Sequence, residues 1–599
     1  MAQSLYHLIR ERRGWTNEYI REINDPSHPE LKDMDLLVQK LHELRLSGEQ
    51  LVVVPDFDVD GITSGVIGLA GFAELGFNVG LYLPDYKRGH EFGPIDVEEV
   101  LHQHPQAKAL ITCDVGINAH AGVRAAREKD LLVFITDHHL ETEGRVEADV
   151  VIDPSRTDET YPNKGICGAH VIYQVIRAYA SEHQPEKLDD IDLLRLFAGI
   201  GTVADVMPLL YENRKLVKDS ISLARLLYVA PEGDTRDREA ELEVDPNKST
   251  LMALLRNSAH HPLFVSAFEG MGEVLAAFTR RRKLRDVTGI DAGFYGFYMA
   301  PALNSIRRID GDLSDAFGTF FGKTKELCFE RVLEGNDRRK ELVAEYIERI
   351  QSDDQPFAPH IYLTEAPAGV LGLLANNLMQ VSGKPTIVLH RPGHAGERIS
   401  GSARAPMWYP LNSIVNELGE GFAAIGHEQA CGIRVPDATR IQDLADSLEE
   451  TSAAVFAELL ASGELAEMDK VDLEIGSHED ADCDITEIEE LIETVGRLQT
   501  LEPFGHGFEE PSVRLVVDLA NVTFKTIGAE KQHLAIVLSS GIKCLWWNRA
   551  DMLLELQERA QDPSPGASQA QLAGKLSVNM FMGNVSLDFI VDAAELAEQ

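Results

Sequence analysis

Leu51-Val52-Val53-Val54-Pro55-Asp56-Phe57-Asp58-Val59-Asp60-Gly61 decides the fold. A continuous apolar run of this length, rich in valine, reads as a strand buried on both faces. It ends in acidic residues, and Gly61 permits a tight turn into a helix patterned over Thr63 to Leu75. Three more acidic blocks follow apolar runs and are read as lying at strand ends. Asp114-Val115-Gly116 follows Ala109 to Thr112, Asp137-His138-His139 follows Leu131 to Ile135, and Ala204-Asp205-Val206 closes another apolar stretch. Val150-Val151-Ile152 is a further strand, and Ala119 to Lys129 a further helix. Strands alternating with helices give an α/β, doubly wound parallel sheet, whose ligands bind beyond the carboxyl ends of the strands.

The residue types in these blocks suit a pair of divalent metals, the usual engine of phosphoester hydrolysis. Asp56 and Asp58, two apart on a bent turn, can aim at adjacent ions, and Asp114 can bridge them. One of the adjacent histidines, His138 and His139, can bind metal while the other meets a phosphate oxygen or the leaving group, and Asp137 can orient a ring. An ionised Asp205 inside an apolar run is costly unless paired or bound to metal. A calcium loop starting at Asp56 would need a carboxylate at Ile67, so that reading fails. The pair His260-His261 has no strand before it and is read as structural.

With 599 residues the chain holds several domains. The boundaries expected are a helical segment at 1–48, the metal-bearing domain at 49–228, a helical connector with an acidic insertion at 229–298, a second α/β domain at 299–465 and a small β-barrel at 466–599. Asp337 to Gln351 reads as an amphipathic helix. No apolar stretch approaches the length of a membrane span, and the six scattered cysteines form no CxxC pair, so a reducing cytoplasm is expected. The net charge of −41 argues against a broadly basic nucleic-acid surface, leaving local clusters such as Arg280 to Arg285, Arg307-Arg308 and Arg404. Trp546 and Trp547 fall in the barrel, at least one of them as core.

The four blocks, in this order, resemble the metal-site motifs of the DHH phosphoesterase superfamily, and within it the RecJ single-strand-specific exonucleases. Gly165-Ile166-Cys167-Gly168-Ala169 is similar to the family's glycine-rich turn before a packed helix. Ala300 to Arg308, Gly369 to Gly372, Gly383 to Leu389, Gly401-Ser402-Ala403-Arg404 and Gly426-His427 resemble segments of the DHH-associated domain. Leu501-Glu502-Pro503-Phe504-Gly505-His506-Gly507 looks like the RecJ signature leading into an OB-like domain. With the resemblance, two Mn²⁺ or Mg²⁺ ions are expected on Asp56, Asp58, Asp114, His138 and Asp205, and His139, Asp137 and Asp60 form the catalytic set. It implies a strand or terminal phosphate held by Asn304, Arg308, Ser402, Arg404 and His427, and 5′-to-3′ digestion of single-stranded DNA to mononucleotides in recombination or repair. A monomer is expected, with a single-strand-binding protein or a helicase as further partners. Departures from the pattern are Val54 where some relatives have histidine, Ile425, Ile306 and Ala302. Two other readings stand beside this one: a DHH phosphodiesterase for short oligonucleotides or cyclic dinucleotides, and an acidic, non-catalytic replication scaffold.

Overall fold

The computed structural model describes residues 4–596 apart from 90, 143, 233–241, 310, 353–356, 359, 395–396, 420, 463–470, 479–480, 529–530, 565 and 582–583. The acidic insertion of the connector therefore lies largely outside the described residues. Contacts divide the chain into two units: His28–Met207 with Asp219–Leu465, and Met1–Ser27 with Pro208–Lys218 and Ala466–Gln599.

The first unit carries two sheets. Strands β1 (Gln50–Pro55), β2 (Val79–Leu81), β3 (Ala107–Cys113), β4 (Leu132–Thr136) and β5 (Val150–Ile152) form a sheet of order β2-β1-β3-β4-β5. Every pairing in it is parallel. The chain runs from β1 outward to β2 and then crosses back to β3, so the order reverses between β1 and β3. That reversal opens a crevice beyond the strand ends. Helix Val59–Glu74 is buried at all 16 positions, because helices Gly168–His183, Arg195–Ala204 and Pro262–Arg280 surround it. The second sheet holds β6 (Ile361–Thr364), β7 (Thr386–His390), β8 (Ile399–Arg404), β9 (Ala423–His427) and β10 (Ala430–Val435) in the order β6-β7-β8-β10-β9. The expected amphipathic helix is the second half of helix Lys325–Ser352, whose Val343, Tyr346, Ile347 and Ile350 pack on the cluster around Val370 and Leu374.

The other unit is a seven-stranded sheet wrapped about one core. Its strands are β11 (Leu473–Ile475), β12 (Val513–Asp518), β13 (Val522–Ile527), β14 (His533–Leu538), β15 (Lys543–Trp546), β16 (Gln569–Phe581) and β17 (Asn584–Leu596), in the order β11-β12-β16-β17-β15-β14-β13. Trp546 is buried and Trp547 half-exposed, in line with one core tryptophan. The chain divides differently from the boundaries drawn on sequence, because residues 1–27 and 208–218 fold with this unit. Trp15 stacks on Phe508 at 4.5 Å, and Arg13 pairs with Asp472 at 2.7 Å. Arg214 lies over the Phe508 ring and donates to the carbonyls of Leu501 and Pro503. Burial lowers its pKa to about 10. These carbonyls belong to the Leu501-to-Gly507 segment, which thus receives a buried guanidinium.

Candidate metal centre and phosphate-binding site

Strand register lines up the acidic residues. Pro55 pairs with Cys113, Cys113 with Thr136, and Thr136 with Ile152. The next residue on each strand is an aspartate: Asp56, Asp114, Asp137 and Asp153. Backbone N–H groups continue the ladder one step, from Asp56 to the Cys113 carbonyl, Asp114 to Thr136 and Asp137 to Ile152, at 2.9–3.1 Å. Four buried carboxyls therefore stand in a row at the crevice. Asp114 has φ +66°, a left-handed conformation uncommon outside glycine, and Gly116 follows at +120°. The backbone is bent there to turn the carboxylate out of the strand line.

Loops and helix ends complete the cluster. Asp58 caps helix Val59–Glu74, accepting from the N–H groups of Asp60 and Gly61 at 2.9 and 3.1 Å. His138 Nε2 lies 3.2 Å from Asp114, 3.5 Å from Asp205 and 3.8 Å from Asp60. Ligand atoms of Asp56, Asp58 and Asp114 fall within 4.8 Å of one another, as do those of Asp60, His138 and Asp205, and those of Asp114, His138 and His139. Asp114 belongs to two of these triplets, which suits a bridging carboxylate. Among the described residues, Asp114 Oδ1 and Asp205 Oδ2 are buried and accept no hydrogen bond. Burial pushes the Asp114 carboxyl well up, with Asp60, Asp58 and Asp56 adding to it. Burial, then Asp60 and Asp58, raises Asp205 to about 8. His138 is held down by burial. Oxygen-rich, mutually repelling carboxylates with uncompensated buried oxygens fit hard divalent cations.

Asp205 corrects one expectation. It does not end a strand; it caps the C-terminus of helix Arg195–Ala204. Leu196 to Thr202 are all buried, and a short apolar run of this kind reads like a buried strand. A carboxylate at a helix C-terminus meets the negative end of the helix dipole, which a cation would offset.

Asp60 and Asp137 are both held by backbone. Asp60 accepts from Gly168 and Ala169 N–H at 2.6 and 3.0 Å, the first turn of helix Gly168–His183. Gly201 packs so close that an added Cβ would sit 2.4 Å from Asp60 Oδ1. In the first unit, then, Asp60 ties two helices to the metal-bearing turn. Asp137 Oδ1 accepts from His139 Nδ1 at 2.7 Å and from His138 N–H at 2.7 Å, while Oδ2 accepts from Ile117 N–H at 2.9 Å. Burial pushes the Asp137 carboxyl up, but these hydrogen bonds and the two rings outweigh it, leaving it below the usual carboxylate range. The ring that Asp137 orients is His139. Asp153, absent from the sequence reading, is buried and raised to about 8 by burial and by Asp137. Its signal was present, an aspartate directly after Val150-Val151-Ile152.

The residues assigned to substrate cluster around guanidinium groups. Arg308 donates to the Gly369 carbonyl at 3.1 Å. Burial, followed by the charges of Arg307, Arg339 and Arg404, lowers it to about 10, with Asp58 acting in the opposite direction. Burial also lowers Arg404, which donates to the Ala403 carbonyl at 2.7 Å. The Gly372 Cβ position lies 3.0 Å from Arg404 Nη2 and 3.2 Å from Ser402 Oγ, so Ser402 and Arg404 both border that glycine. Asn304 Oδ1 is buried without a hydrogen bond. Arg404, Ala430 and His427 stand abreast on β8, β10 and β9, and His427 is exposed. Like-charged groups gathered in this way call for an anion such as phosphate. Arg280 and Arg281 form no such patch, since they pair with Glu326, Glu330 and Asp337 at 2.7–3.9 Å. The pair His260-His261 does serve structure. His260 Nδ1 and the His261 N–H contact the buried Glu74 carboxylate at 3.1 and 2.7 Å.

Comparison with known proteins agrees with this geometry. Residues 50–200 match the model of the DHH family, N-terminal domain. Residues 480–593 match the RecJ OB domain, so the chain is similar to the RecJ type of the DHH family in both domains. It is 25% identical over 614 residues to the single-stranded-DNA-specific exonuclease RecJ of Haemophilus influenzae, covering 97% of this chain and 94% of that one. It is 26% identical over 600 residues to the Escherichia coli protein of the same name, covering 94% and 90%. The fold is similar to that of RecJ from Thermus thermophilus in complex with Mn²⁺, with a TM-score of 0.68, 21% identity and 99% and 76% of the two chains covered. Among the described residues, no helix is long and apolar enough to cross a membrane.

Proposed function

We propose that the protein is a divalent-metal-dependent exonuclease that degrades single-stranded DNA, from 5′ to 3′, to mononucleotides. The supporting observation is the juxtaposition of a carboxylate–histidine cluster with a cluster of guanidinium groups, with Asp58 acting on Arg308 across the two. Asp56, Asp58, Asp114, His138 and Asp205 would hold the ions. When bound, divalent ions supply Lewis-acid charge to a phosphodiester and lower the pKa of water.

The chain's own groups do the rest. Arg308, Arg404 and Ser402 hold the terminal phosphate, while Asn304 and His427 contact the strand. His139, held through Nδ1 by Asp137, protonates the departing 3′ oxygen. Water forms the new bond to phosphorus as the bond to that 3′ oxygen breaks, which leaves a 5′-phosphate on the shortened strand. The product thus carries the same end that the arginine cluster recognises, and digestion repeats. The seven-stranded sheet binds single strands by charge and base stacking, with the half-exposed Trp547 as one platform. The enzyme works in the cytoplasm as a monomer, in recombination or repair, on strands delivered by a helicase or coated by a single-strand-binding protein.

The test is digestion of 5′-labelled and 3′-labelled single strands with Mn²⁺, beside duplex DNA and cyclic dinucleotides. Release of the 5′ label as a mononucleotide is expected. Preferential turnover of cyclic dinucleotides, or release of the 3′ label first, would overturn the reading.

A further inference from the structure

Arg307 stands where the carboxylate cluster and the arginine cluster meet. Its guanidinium lies over the ring of Phe57, 5.5 Å from the centroid. Phe57 is the residue between Asp56 and Asp58, so its ring leaves the metal-bearing turn itself. Phe57 also contacts Tyr86, at 5.8 Å between centroids. Tyr86 in turn donates from its hydroxyl to the Gly311 carbonyl at 3.0 Å. The Phe57 ring thus meets both Arg307 and Tyr86. Arg307 is half-buried, and among the described residues no carboxylate pairs with it. It is also the first of the like charges acting on its neighbour Arg308.

A half-buried cation without a counter-ion costs free energy unless a ligand supplies the negative charge. A ring face favours a guanidinium but does not neutralise it. The plainer explanation is that Arg307 merely offsets the general field of the acidic cluster. The contact with Phe57 goes beyond that, because it places the guanidinium against the residue between Asp56 and Asp58. Arg404 and Ser402 meet at Gly372, beside the second sheet. Arg307 instead is tied to the turn that carries Asp56 and Asp58, on the side of the cleavage point.

We propose that Arg307, oriented on Phe57, contacts the phosphate being cleaved and offsets the charge that grows on its non-bridging oxygens. Phe57 is then a positioning residue acting through Arg307. The inference rests on the exonuclease reading and adds a residue to its reacting centre.

The experiment compares wild type, Arg307→Ala, Arg307→Lys, Phe57→Leu and Arg404→Ala, each loaded with Mn²⁺. Their substrates are 5′-phosphorylated and 5′-hydroxyl single strands. Arg307→Ala should lower kcat by about 10²–10³-fold, as expected for losing one preorganised donor to a developing oxyanion. Its preference for the phosphorylated end and its metal content should match wild type. Added guanidinium should restore part of the activity of Arg307→Ala and none of Arg404→Ala. Arg307→Lys should keep more activity than Arg307→Ala, and Phe57→Leu should fall between Arg307→Ala and wild type in kcat. If Arg307→Ala keeps kcat within about threefold, or loses metal in proportion to activity, the proposal is overturned. If it loses only the end preference, Arg307 serves the terminal phosphate and the proposal is equally overturned. A wild type inactive on every single strand would remove the exonuclease reading itself; an active wild type with an unaffected Arg307→Ala removes only this inference.

Discussion

Replacing Asp137 by asparagine keeps the shape of the side chain and removes its charge. The carboxylate is 1% exposed and receives His139 Nδ1, the His138 N–H and the Ile117 N–H at 2.7–2.9 Å. An asparagine can accept on one side only. Whichever way it turns, its amide N–H₂ faces an N–H donor. Hydrogen bonds to a charged group contribute about 1.5–3 kcal/mol each, and a buried donor left unsatisfied costs about 1–3 kcal/mol. A destabilisation of about 3 kcal/mol is expected in denaturant titration of the metal-loaded protein. Because burial removes solvent screening, salt should change it little. The folded pKa of Asp137 is depressed, so its stabilising contribution is present above the unfolded value and is lost as pH falls through the folded one. The gap between wild type and Asp137→Asn should therefore stay constant from about pH 5 to 8 and narrow below about pH 4. Activity should fall further than stability, by about 10²–10⁴-fold in kcat, because His139 loses the partner that fixes its tautomer. A variant that binds Mn²⁺ normally and keeps kcat within about threefold would refute the role given to the pair.

Other outcomes follow from the same geometry. Gly201→Ala puts a Cβ 2.4 Å from Asp60 Oδ1 and 2.7 Å from Thr63 Oγ1, so it should cost about 3 kcal/mol or more and abolish activity; a stable, active variant in thermal melts would show that the helices can part there. In metal-free protein the folded pKa of Asp205 is raised to about 8, above its unfolded value, so its contribution disfavours folding increasingly as pH rises toward 8. Mn²⁺ binding should then release protons at pH 7 and raise Tm more at pH 8 than at pH 6, and a pH-independent gain by calorimetry would contradict this. Arg404→Ala should weaken discrimination for a 5′-phosphorylated end more than internal strand affinity. The salt dependence of single-strand binding should be shallow for a chain of net charge −41, and a slope of about eight or more ions in titrations would reveal a basic track beyond the arginine cluster.

The metal-bearing sheet was legible because its strands are apolar without interruption and each acidic block follows one directly. Parallel register then brings Asp56, Asp114 and Asp137 abreast, which sequence order alone does not state. Asp205 was legible as a residue and not as a place, since a short apolar run buried as a helix reads like a buried strand. Arg307-Arg308 and Arg404 were legible as basic residues, but not that they gather with Arg339 around Arg308, which depends on tertiary packing. The assignment of residues 1–27 to the C-terminal unit was equally invisible, because it rests on Trp15 meeting Phe508 and Arg13 meeting Asp472 across more than 400 positions.

At the centre of the site one carboxylate, Asp114, is assigned to join two metal ions. Equilibrium dialysis against Mn²⁺, with metal and protein counted in the same sample, tests this directly on wild type and Asp114→Ala. Two ions per wild-type chain are expected, with both lost or weakened together in Asp114→Ala while circular dichroism stays native. A single ion in wild type, or two ions retained at unchanged affinity in a folded Asp114→Ala, would contradict it.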